Sequence, residues 1–236
     1  MRRSDAAFFV VGVALTAALV APFRGTTPAA LAVPSSCLNP EYGAVSAKQV
    51  DAYTFTSRGT RSDVRVIDGA GVDCQHISSI FAWNGSGGFE VGYVIGYSNC
   101  PGHTGQFFVN PKKMYWAFNS QGTFVGCNVW EGASLPEATF QTFQGSDSNA
   151  NGYWGFWYNG TNLQPNGVLL DFNSAMNGWG MERGDSSDDG YARFNELSEY
   201  HDNTPGWSRW DDQRLNSDSD PVLDYNEINN YTGRTQ

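Results

Sequence analysis

Along most of the chain, apolar and polar residues alternate in short runs closed by Gly, Asn, Asp or Pro. The runs are "DVRVID", "HISSIFAW", "GFEVGYVIGY", "GQFFVN", "KMYWAFN", "ATFQTFQ", "GYWGFWYNG", "GVLLDFN", "NGWGMERG" and "GYARFNEL". A period of two places alternate side chains on opposite faces of a strand. Many such strands at regular spacing predict an all-β fold, an antiparallel, jelly-roll-like β-sandwich. The segments "NSQGT" and "YNGTN" read as hairpin turns in which Gly supplies positive φ, and the strand after the first begins near Thr123. Helical spacing is nearly absent. Only "SAKQVDAYTF" and "SLPEATFQTF" allow it, and the second also alternates like a strand.

The N-terminus follows a different pattern. A basic "MRRSD" precedes the apolar "AAFFVVGVALTAALVAPF", and "PAALA" ends at Ala32 with small residues at Ala30 and Ala32. That order is a secretory signal peptide over residues 1–32, with Pro22 and Arg24 interrupting the run before it becomes a full membrane span. A secreted protein without stable membrane insertion follows. The expected organisation is one sandwich domain over 33–201 and an acidic C-terminal segment over 202–236, packed on the sandwich or trailing from it.

Charge narrows the partners. The full chain carries a formal charge of −10, and removing Arg2, Arg3, Arg24 and Asp5 with the leader makes it −12. Such a surface repels phosphate backbones, which argues against nucleic acid. The mature part keeps four cysteines, an even number that favours two disulfides in an exported protein. Of the three connectivities, pairing neighbours along the chain gives Cys37–Cys74 and Cys100–Cys127. With no Cys-x-x-Cys and three scattered histidines (His76, His103, His201), a zinc site is not expected.

Candidate chemistry sits in "GGFEVGYVIGY", residues 87–97. Parity puts Phe89, Val91, Tyr93 and Ile95 on an apolar face, and Glu90, Gly92, Val94 and Gly96 on the other. A carboxylate among glycines suits a groove floor, where another backbone comes close. "NGWGMERGD" repeats the arrangement, with Trp179 and Met181 opposite Gly178, Gly180, Glu182 and Gly184. Taken singly, each Glu reads as an ordinary residue on the wet face of a sheet. On neighbouring strands the two carboxylates would line one groove, share a proton at mildly acidic pH, and serve as general base and general acid.

These residues carry a resemblance. "GGFEVGYVIGY", followed by "QFFV" and "MYWAFNSQGTFVGCNVW", resembles the neprosin family of glutamic endopeptidases, and "SAMNGWGMERGD" resembles that family's second catalytic segment. The likeness spans roughly residues 80–200. It implies Glu90 and Glu182 as the catalytic pair, with no metal, cofactor or nucleophilic side chain, on an extended polypeptide substrate. Trp116, Trp154, Trp157 and Tyr158 are the expected groove walls. Two rival readings use the same surface: a non-catalytic carbohydrate-binding module and a glycosidase acting on polysaccharide through the same carboxylates. "NSDSDPVLDYNE" has the oxygen spacing of a calcium loop at Asn216, Asp218, Asp220, Asp224 and Glu227, but Pro221 stands where such a loop needs Gly. It reads better as a solvated acidic tail.

Overall fold

The structure is a computed structural model that describes residue 37 and residues 43–48, 57–144, 152–172, 176–183, 189–201, 206–210, 214–217, 222–227 and 230–235. The expected signal peptide lies outside the described residues. Two antiparallel sheets make up the fold. From edge to edge the first holds β14 (Arg214–Ser217), β1 (Gly43–Lys48), β11 (Met176–Arg183), β3 (Gln75–Asn84), β4 (Gly87–Tyr97), β5 (Phe107–Phe118) and β6 (Phe124–Trp130). The second runs β10 (Val168–Leu169), β8 (Tyr153–Tyr158), β7 (Glu137–Gln144), β2 (Ser57–Gly71), β12 (Asp189–His201), β16 (Asn230–Thr235) and β15 (Val222–Glu227). Beside it, β13 (Trp207–Arg209) pairs with β12 and β9 (Thr161–Asn162) with β8. No helix among the described residues is long and apolar enough to cross a membrane.

The core forms where the alternation said it would. Phe89, Val91, Tyr93 and Ile95 of β4 bury against Phe140, Trp154, Phe156 and Phe194 of the other sheet. Ring contacts hold the layers together, Phe89 to Trp154 at 4.8 Å and Tyr93 edge-on to Phe140 at 4.8 Å. Such pairs add to simple area burial because ring edge and ring face carry opposite partial charge.

Both hairpin turns are present. Asn119 Oδ1 accepts from the backbone N–H of Gln121 and Thr123, with Gly122 at φ +75°. In the other, Asn159 and Gly160 both take positive φ, at 46° and 74°, matching the twist of the flanking strands.

Residues 46–48 of "SAKQVDAYTF" belong to β1, bonded on both sides by β11 and β14, and the rest of that segment, 49–55, lies outside the described residues. In "SLPEATFQTF" the alternating Ala138, Phe140 and Thr142 are buried, so inter-sheet packing decides for strand β7. "GQFFVN" and "KMYWAFN" fuse into the single strand β5, and Pro111 falls where the pairing with β4 shifts register. A bulge is where a sheet tolerates a residue without an N–H. The segment beyond residue 201 supplies β13 to β16 to the two sheets.

Candidate functional site

Glu90 lies on the face of the first sheet turned away from the core. Register aligns positions on that face into rows across β11, β3, β4, β5 and β6. One row is Gly178, Phe81, Glu90, Trp116 and Cys127; the next is Gly180, Ser79, Gly92, Met114 and Val129. The half-buried Glu90 thus has an aromatic neighbour on either side. The hydroxyl of Ser79, itself buried, donates to Glu90 Oε2 at 2.8 Å and fixes the carboxylate's direction.

The glycines around it have specific causes. A Cβ on Gly92 would stand 2.1 Å from the carbonyl oxygen of Ser78 and 2.6 Å from Cα of Ser79. On Gly88 it would meet the Trp83 ring at 2.4 Å. The close approach expected at these glycines is therefore made by β3 and its Trp83, inside the sheet. Its consequence for the site is a strip from Gly180 through Ser79 to Gly92 with no side chain larger than a hydroxymethyl group.

The backbone of Glu182 pairs with Ile77 of β3 and Ala44 of β1, on the same face as Glu90. The two glutamates' strands do not adjoin, because β3 runs between β11 and β4. Two strand spacings and a four-residue offset put the two Cα atoms about 17 Å apart in a flat sheet. The bare strip lies on the line between them.

The expected groove walls divide. Trp116 is Glu90's cross-strand neighbour. Trp154 is not a wall at all: it is fully buried between the sheets and its Nε1 donates to the Phe172 carbonyl at 3.0 Å. Tyr158 packs on the same core from β8, and its hydroxyl accepts from the Leu135 N–H at 2.8 Å. Trp157 lies on the outer face of the second sheet, its ring over Gly155, where a Cβ would meet it at 2.5 Å. The aromatic residues of β8 occupy both of its faces, and β8 belongs to the sheet that does not carry Glu90. Missed in the sequence were Ser79, Phe81, Trp83, Phe118 and Phe124, although the parity of "HISSIFAW" against Glu90 would have nominated the first three.

Cys37–Cys74 and Cys100–Cys127 are the two disulfides, as expected. The second ties the loop after β4 to β6 and joins Ile77, Val94, Phe108, Met114 and Val129 in a small apolar cluster on the Glu90 face, with Trp116 packed against it. That cluster walls one side of the strip. Of the calcium candidates, Asn216 belongs to β14 of one sheet, Asp224 and Glu227 belong to β15 of the other, and Asp218 and Asp220 lie outside the described residues. The twelve positions therefore do not form one loop. Among the described residues no three His, Cys, Asp or Glu side chains stand together as a metal would need.

His76, fully buried, has Nε2 2.9 Å from Ser78 Oγ, and burial lowers its pKa from 6.5 to about 4. A neutral imidazole in the fold and a protonated one in the unfolded chain make stability fall as pH drops from 6.5 through 4. The loss reaches about 3 kcal/mol below that range. We expect the difference in unfolding free energy between wild type and His76→Gln to change by that amount between pH 7 and pH 4. Parallel pH profiles in urea titrations would show the imidazole to be irrelevant.

No family model matches the chain, and no curated protein matches it in sequence. Among solved structures the chain is similar to scytalido-glutamic peptidase bound to a peptide-based transition state analog, at 9% identity, TM-score 0.47, covering 84% of this chain and 98% of that one. It is also similar to a native glycosidic hydrolase, at 9% identity and TM-score 0.35, covering 83% of this chain and 77% of that one.

Proposed function

We propose that the protein is a secreted endopeptidase of the neprosin-like glutamic type, acting at acidic pH through Glu90 and Glu182. The observation that carries this reading is the oriented, half-buried Glu90, held by Ser79 at 2.8 Å beside a strip with almost no side chains. An extended polypeptide laid on that strip would bring its scissile carbonyl next to Glu90. Glu90 takes a proton from a water as that water attacks the carbonyl carbon, and Glu182 gives its proton to the departing nitrogen. The C–N bond breaks, a carboxylic acid that keeps the water's second proton and an amine leave, and the pair resets when Glu90 releases its proton to solvent and Glu182 takes one up. The two disulfides fit an oxidising, extracellular setting.

One observation favours a second reading. Glutamates whose strands are separated by a whole strand, with Cα atoms about 17 Å apart in a flat sheet, suit two carboxyl groups that act from opposite sides of a bond, as in an inverting glycosidase, better than a proton-sharing pair. The test is to incubate the secreted protein with denatured casein and with polysaccharides between pH 3 and pH 7. Casein fragments at acid pH that disappear with Glu182→Gln support the peptidase. Reducing sugar ends without casein fragments would move the assignment to the glycosidase, and neither product would leave a binding module.

A further inference from the structure

We infer that the aromatic residues flanking Glu90 form a subsite for a large apolar side chain of a polypeptide substrate. This rests on the reading of the Glu90 face as a substrate groove. One row along from Glu90, Trp83 covers Gly88, and Phe118 and Phe124 continue the row on β5 and β6. Trp83 and Phe124 are 40% and 41% exposed, large values for such side chains, and nothing in the core accounts for their position. The row lies about 7 Å from that of Glu90, two residues along a strand. A side chain beside a scissile bond held at Glu90 spans that distance.

The shape of the cleft selects among ligands. Phe124 meets Trp116 with ring centroids 5.6 Å apart at 59°, and meets Phe118 at 5.8 Å and 67°. Rings so inclined make a corner, which receives a compact apolar group from two sides. A pyranose needs a flat platform rimmed by hydrogen-bonding groups. The indole N–H of Trp83 is already engaged, donating to the Gly85 carbonyl at 2.6 Å. Desolvating one aromatic side chain in such a corner contributes about 1.5–3 kcal/mol, or roughly 10- to 100-fold in affinity.

The test uses the Glu90→Gln variant of the full protein, so that binding is read without turnover. Fluorescently labelled heptapeptides that differ only in a central Phe, Leu or Ala are titrated by anisotropy. The Phe and Leu peptides are expected to bind at least 10-fold more tightly than the Ala peptide. Phe124→Ala should erase that preference, and Tyr153→Ala, an exposed aromatic on the other sheet, should keep it. Equal binding of the three peptides, or a preference indifferent to Phe124→Ala, overturns the subsite. A protein that discriminates but cleaves nothing refutes the peptidase and leaves the subsite standing; cleavage of casein without discrimination does the reverse.

Discussion

Glu90→Gln is expected to reduce acid-pH hydrolysis of denatured casein by about 10³-fold while leaving the fold intact. The substitution is isosteric, and the Ser79 hydroxyl that donates to Glu90 Oε2 can donate equally to an amide oxygen. Packing between Phe81 and Trp116 is unchanged, because only one oxygen becomes a nitrogen. What disappears is the ability to take a proton from water, a contribution worth about 10²–10⁴-fold for a positioned general base. Initial rates at several pH values, with urea midpoints measured on the same preparations, decide the matter. An unchanged midpoint with a collapsed rate assigns the carboxylate to the chemistry. A variant that keeps more than a tenth of the rate would remove Glu90 from the mechanism, whatever its surroundings.

The location of Glu90 was legible because β4 alternates without interruption. Four bulky residues on one parity cannot face water together, so the carboxylate and glycines had to occupy the other face. Turn chemistry was equally local: Asn159-Gly160 needs two positive φ values, and few other dipeptides supply them. Strand order is a different matter. Nothing in "NGWGMERG" states that it pairs with β3 on one side and β1 on the other, so the interposed β3 was invisible and the two glutamates looked nearer than their register makes them. The Ser79–Glu90 hydrogen bond, by contrast, belongs to the local hairpin of β3 with β4, closed between Asn84 and Gly87, and parity brings those two residues within reach. In β8 the aromatic residues occupy both parities, which leaves the hydrophobic pattern without a preferred core face and explains why Trp154 passed for a groove residue.

Trp154→Ala should accordingly cost stability, by about 4 kcal/mol, and touch activity only through it. The indole is fully buried, lies 4.8 Å from the Phe89 ring and 5.6 Å from the Phe172 ring, and its Nε1 donates to the Phe172 carbonyl. Truncation opens a cavity and leaves that carbonyl without its donor, two costs that add. Phe89 precedes Glu90 in β4, so the cavity opens directly behind the strand that bears the carboxylate. Urea unfolding with the disulfides intact measures the loss. Any fall in hydrolysis should track the unfolded fraction and recover on moderate cooling, since the face that bears Glu90 carries no atom of Trp154. A Trp154→Ala protein of wild-type stability with selectively weakened peptide binding would instead return this tryptophan to the substrate surface, and with it would go the division of β8 into a buried face and an exposed one.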